Sequence, residues 1–255
     1  MTTNTHVLES LQPVTELHPV SDRSAPDRPG TRLAPSPTPG HPRPDQRTTI
    51  SRADIGQPHV DAFRTLRTRL LSAINGAPNA TVVIAPVSRG SGGSYVARNL
   101  AAAFAFDDTI NAVLIDCDLA RGTQHAALRL DPINGGLVNY LEDPAVLVGN
   151  MLYETCVPRL QRLPAGSPSG TSAEYLSSFR MRLLIDVMRS RNPPRHVFLD
   201  SAAVQDSPDA RILADYADLV VLVAGYGRDS PEQISRAAAE FDPGKFAGVV
   251  FNEGP

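Results

Sequence analysis

Residues Val87 to Tyr95 read V-S-R-G-S-G-G-S-Y, between an apolar run at Thr81–Ala85 and a helix-like run at Val96–Phe106. Strand, glycine-rich turn and helix in that order build an anion cradle. The glycines let backbone N–H groups curl around a phosphate, and the helix adds the positive end of its dipole. A cradle that works on ATP also needs a lysine just before its hydroxyl residue, here Ser94, to answer charge on the β and γ phosphates. Gly93 stands there instead, and the chain's single lysine is the distant Lys245. Two more apolar runs end in carboxylates. Val113-Leu114-Ile115 is followed by Asp116 and Asp118, and Val197-Phe198-Leu199 by Asp200. Paired carboxylates at a strand end suit a magnesium nucleotide: one polarises a hydroxyl or water, the other holds the metal's shell. Asp116, Asp118 and Asp200 are therefore the catalytic candidates, and Ser94, Asp116 and Asp200 the candidate Mg²⁺ ligands. The plain alternatives are a glycine-rich turn and aspartates acting as turn or cap residues.

These groups need a scaffold that brings three strand ends together. From Pro58 onward helical and strand-like segments alternate. Strands are expected at Thr81–Ala85, Ala112–Ile115, Leu160–Pro164, His196–Leu199, Leu219–Ala224 and Gly248–Phe251. Helices are expected at Ser94–Phe106, Gly136–Leu141, Ser172–Arg189, Asp209–Tyr216 and Ser230–Glu240. A further helix, Val60–Ile74, carries Phe63, Leu66, Leu70 and Ile74 on one face. Continuous Val/Ile/Leu strands separated by helices predict an α/β, doubly wound, mostly parallel sheet covered on both faces, with ligands beyond the carboxyl ends of its strands. Residues 1–56 differ in kind. Nine prolines lie between Pro13 and Pro44 among Ser, Thr, Asp, Arg and Gly. Such a segment buries too little apolar surface to offset its conformational entropy, so a disordered tail at 1–56 and a domain at 57–255 are expected. Val7, Leu8, Leu11, Val14 and Leu17 in that tail have rough helical spacing.

The totals exclude several classes. A net charge of −3 and scattered arginines give no electrostatic footprint for nucleic acid. No apolar run approaches the ~20 residues that span a bilayer, and the first residues lack a signal-peptide pattern. Cys117 and Cys156 form neither a disulfide framework nor a metal pattern. The expectation is a soluble cytoplasmic protein.

The motifs together resemble the cytoplasmic domain of the bacterial tyrosine kinases (BY-kinases) of capsule and exopolysaccharide export, relatives of the MinD/ParA ATPases. The resemblance runs from about Asp61 to Asn252. Asp61-Ala62-Phe63-Arg64-Thr65-Leu66-Arg67 resembles the family's ExxRxxR helix, with Asp for Glu. Asp116-Cys117-Asp118-Leu119-Ala120-Arg121 resembles its second Walker box. Leu163-Pro164-Ala165-Gly166 and Glu174-Tyr175-Leu176-Ser177-Ser178 resemble stretches typical of the group. Asp200-Ser201-Ala202-Ala203 resembles its Walker B, with both prolines lost. The resemblance implies a nucleotide site formed by Arg89, Gly90, Gly92, Gly93, Ser94, Tyr95 and Arg121, taking ATP or ADP with Mg²⁺. It also implies self-association through Asp61, Arg64 and Arg67, and a membrane-embedded chain-length or export protein as partner. Such a partner would hold the protein at the inner face of the membrane.

The departures matter equally. The family loop carries Lys where Gly93 stands, the MinD-type signature lysine is replaced by Ser88, and Tyr95 replaces a small hydroxyl residue at the loop's rim. The tyrosine-rich tail expected after the last strand is not in this sequence, which ends at Pro255. Losing a charged hydrogen bond of roughly 1.5–3 kcal/mol costs about one to two decades of affinity, and more in rate, because the lysine answers transition-state charge. Arg89 in the loop, or Arg98 four residues beyond Ser94, could compensate; the simpler expectation is that both are solvated. The leading expectation is a degenerate member with weak nucleotide binding, acting as scaffold or regulator, in a homo-oligomer or with an active paralogue. The alternatives are an active kinase or ATPase using arginine, and a MinD/ParA-like positioning ATPase.

Overall fold

The computed structural model describes residues 49–120, 135–167, 170–190 and 195–253. Seven strands form one sheet: β1 (Thr81–Pro86), β2 (Asn111–Asp116), β3 (Tyr153–Glu154), β4 (Leu160–Leu163), β5 (Arg195–Asp200), β6 (Leu219–Gly225) and β7 (Phe246–Asn252). Their order is β3-β4-β2-β5-β1-β6-β7. All neighbours are parallel except β3, which pairs antiparallel to β4. The central strands are buried along their whole length, as a sheet covered on both faces requires. Side chains alternate between the two layers: Val83 and Ala85 join one apolar cluster, Val82 and Ile84 the other.

Helices α1 (Pro58–Ala73) and α2 (Gly93–Ala105) cover one face. Pro58 opens α1 at a position where its missing N–H costs nothing, and Val60, Phe63, Leu66 and Leu70 form its buried stripe. The opposite face is covered by α3 (Leu137–Glu142), α4 (Ser172–Leu176), α5 (Phe179–Arg189), α6 (Asp209–Ala214) and α7 (Pro231–Ala238). The architecture is the doubly wound α/β sheet that the alternation of elements predicts.

Two details differ from the expected elements. The single helix expected over Ser172–Arg189 is two helices, because Ser178 leaves helical geometry and its hydroxyl accepts the Met181 N–H at 3.2 Å, starting α5 afresh. The short β3 carries no alternating pattern long enough to be read from sequence. Packing also begins ahead of residue 57. Ile50 is buried in the α1–α2 layer and its N–H donates to Asn99 Oδ1 at 2.8 Å. Residues 1–48, with the apolar Val7–Leu17 pattern, lie outside the described residues.

Candidate nucleotide site

The carboxyl ends of β1, β2 and β5 meet where the strand order reverses, the crevice in which such sheets hold ligands. The loop after β1 begins with Val87, whose N–H donates to Val223 O of β6 at 2.9 Å. Gly90 (φ 83°) and Gly92 (φ 89°) take the left-handed conformation that turns the chain back into α2. Ser88 and Ser91 close the turn: the Ser91 N–H donates to Ser88 O at 3.2 Å, and the Ser88 N–H to Ser91 Oγ at 3.2 Å.

Three residues from distant elements brace this loop. The Asp229 carboxylate accepts from the Gly225 N–H at 2.7 Å and from the hydroxyls of Ser88 and Ser91. The Ser91 hydroxyl lies 2.7 Å from both Asp229 Oδ2 and Ser88 O; its single proton is better given to the charged acceptor. At the end of β7, the Asn252 amide donates to Ser91 O at 3.2 Å. Arg228 reaches the Arg89 carbonyl through Nη1 at 3.4 Å. None of these three stands near the loop in sequence, which is why sequence reading missed them; Asp229 lies just ahead of the expected helix Ser230–Glu240.

The acidic candidates do converge. Asp116 and Asp200 are register partners on adjacent strands, each 1% exposed, and Asp118 is buried beside them. The Cys117 N–H donates to Asp200 O at 2.9 Å, which joins the two strand ends, and the Asp118 N–H reaches Asp116 Oδ1 at 3.3 Å. Burial, then repulsion from Asp200, pushes Asp116 up to about 8. Burial also raises Asp200, to about 6, against the Ser94 hydroxyl bond and the charges of Arg98 and Arg162. Arg162, itself buried, has Nη2 3.9 Å from Asp116 Oδ2. Burial and the surrounding aspartates raise the Cys117 thiol, leaving it a packing residue.

Among the described residues no three His, Cys, Asp or Glu side chains converge as a complete metal cage. Mg²⁺ in nucleotide sites draws most of its shell from phosphates and water, with one or two carboxylates from the protein. Ser94, Asp116 and Asp200, hard oxygen donors at one strand-end cluster, fit that partial role.

Other expected site residues are placed differently. Tyr95 does not stand at the loop's rim: on α2 its ring turns to α1 and packs edge-on against Phe63, centroids 5.9 Å apart. Arg89 is 70% exposed and pairs with Asp206 at 3.4 Å. Arg98 is not solvated; it is half-buried, and its charge favours ionised Asp200. Arg121 lies outside the described residues. On α1, Arg64 pairs with Asp61 at 3.2 Å, both exposed. Arg67 instead turns inward, with Nη2 2.8 Å from Asp107 Oδ2 and its guanidinium over the Phe104 ring. Arg67→Ala should therefore lower stability by ~1–2 kcal/mol, whereas Arg64→Ala should leave Tm unchanged. Thermal melts check both, and make Arg64→Ala the cleaner probe of self-association by sedimentation.

No family model matches the chain. EpsB of Ralstonia solanacearum is 32% identical over 205 residues, which cover 80% of this chain and 27% of EpsB, so the chain spans about a quarter of that relative's length. Tyrosine-protein kinase CpsD of Streptococcus agalactiae is 27% identical over 193 residues, 75% of this chain and 82% of CpsD. Among solved structures, the BceF tyrosine kinase domain superposes with a TM-score of 0.68 at 26% identity, covering 81% of this chain and 83% of that domain. The sheet order, the paired aspartates and these relatives agree: over about four fifths of its length the chain is similar to bacterial tyrosine-kinase (BY-kinase) domains.

Proposed function

We propose that this chain is a catalytically silent BY-kinase relative, a scaffold or regulator of exopolysaccharide or capsule assembly rather than a phosphotransfer enzyme. One observation carries this reading: a Cβ added at Gly93 would lie 2.8 Å from Cδ and Cγ of the Pro86 ring. The position that would carry the phosphate-binding lysine thus has room for hydrogen alone. Mg-ATP, when bound, would supply a γ-phosphoryl group open to attack. Ser94, Asp116 and Asp200 retain the oxygen donors to hold its metal, so nucleotide binding outlasts efficient transfer. The partner is a membrane-embedded chain-length or export protein that keeps the chain at the inner face of the membrane, with copies of itself or an active paralogue beside it. No helix among the described residues is long and apolar enough to cross a membrane, which suits attachment through a partner.

Purified protein given radiolabelled ATP and Mg²⁺ should incorporate no label into itself or into an added tyrosine peptide. Label transfer above a denatured control would end this reading. The charge of Arg98, which favours ionised Asp200, supports a second one, in which arginine sustains slow turnover; there Arg98→Ala would abolish it.

A further inference from the structure

We propose that Arg228, on the turn between β6 and α7, supplies the positive charge that the loop lost, and holds the polyphosphate of a bound nucleotide from outside the loop. The inference deepens the nucleotide-site reading but does not depend on catalytic silence.

Among the described residues, three other arginines near the site each act on a carboxylate; Arg121 lies outside them. Arg89 pairs with Asp206, Arg162 faces Asp116, and Arg98 acts on Asp200. Arg228 pairs with no carboxylate among the described residues; its contact with Arg89 O, at 3.4 Å, is long. A guanidinium offers five N–H donors in a planar fork, so that contact leaves most of its capacity for phosphate oxygens.

Its placement is built in. A Cβ at Gly225 would come 3.1 Å from Arg228 Cβ and 3.2 Å from Cδ, so the stem lies along Gly225. A Cβ at Gly90 would come 3.1 Å from Nη1 and 3.2 Å from Cζ, so the head lies on Gly90. Two glycines thus make a track that ends on the phosphate loop. The neighbouring Asp229 fixes the turn from the other side through Ser88, Ser91 and the Gly225 N–H. That carboxylate takes three donors, none of them from Arg228. The charge therefore arrives on a pre-positioned fork, which limits the ordering entropy of binding.

Calorimetric titration of the full chain tests this, with Mg-ATP, Mg-ADP, inorganic tripolyphosphate and adenosine as separate probes. The parent should bind the three phosphate ligands. Arg228→Ala should weaken all three tenfold or more, with an unchanged Tm because the side chain is exposed. Arg228→Lys should recover part of the loss. Arg228→Gln, which keeps the length and polarity of the stem but removes the charge, should weaken phosphate binding in the same sense as Arg228→Ala while adenosine is unaffected. The proposal is overturned if the parent binds none of the phosphate ligands, if Arg228→Ala binds them as the parent does, or if adenosine loses equally. Label transfer by the parent would overturn catalytic silence and leave this assignment standing. Absence of both binding and transfer would do the reverse.

Discussion

Gly93→Lys, made alone, will destabilise the protein and will not tighten nucleotide binding. The Pro86 ring stands 2.8–3.0 Å from where the new Cβ must go, and a proline ring cannot rotate aside. It is also anchored: Pro86 O accepts the Val204 N–H at 2.9 Å, and the next residue donates to Val223 O. Overpacking of this kind costs ~1–3 kcal/mol, which in a domain of this size lowers Tm by roughly 2–4 °C per kcal/mol. The double variant Pro86→Gly/Gly93→Lys removes the ring and should recover most of the lost Tm. It should also bind Mg-ATP at least tenfold more tightly than the parent, the minimum expected from one charged hydrogen bond. Calorimetry and melting curves on both variants decide it. Tighter binding by Gly93→Lys alone, at the parent's Tm, would show that the loop accommodates a side chain after all. The loss of lysine would then be one substitution rather than a property of two packed positions.

Asp116→Asn should stabilise the nucleotide-free protein above pH 8 and flatten its dependence on pH. In the folded state burial and Asp200 hold the Asp116 carboxyl at about 8, against an ordinary 3.8; Asp200 is raised to about 6. Between pH 4 and 8 the folded protein therefore binds more protons than the unfolded chain. Stability must fall as pH rises through that window, and is greatest near its acid end as far as these two groups go. Above pH 8 both carboxylates must be charged and buried side by side, with Arg162 and Arg98 as partial counter-charge. Asparagine has no proton to lose, so the variant escapes that penalty. Each unit of displaced pKa corresponds to ~1.36 kcal/mol, and a gain of ~2 kcal/mol or more at pH 8.5 is expected, several degrees in Tm. Mg²⁺ with nucleotide should supply the parent with the same relief and give Asp116→Asn less. Melts across pH 5–9 would sink this account if the parent were most stable at pH 8–9, or if the two proteins followed parallel curves.

The large elements and the acidic half of the site were legible in the chain by itself, because they depend on local pattern. Runs such as Thr81-Val82-Val83-Ile84-Ala85 can be buried on both faces only in a covered parallel sheet. A strand that ends in Asp must present it at the carboxyl edge, where Asp116 and Asp200 do meet. The phosphate loop could be read from its glycines and the helix that follows. Short-range breaks were less visible, since whether Ser178 ends a helix or starts one depends on which N–H its hydroxyl finds. What tertiary structure alone decided is what surrounds Gly93 and the loop after β1. Pro86 fills the space at Gly93, and Arg228, Asp229 and Asn252 converge on the loop from the ends of β6 and β7, some 140 to 160 positions downstream. Tyr95 turns to Phe63 and Arg67 to Asp107 because α1 and α2 pack together in one layer over the sheet. Periodicity states which face of an element is buried, but the partner a side chain meets there is set by sheet order, and sheet order joins residues that the sequence keeps far apart.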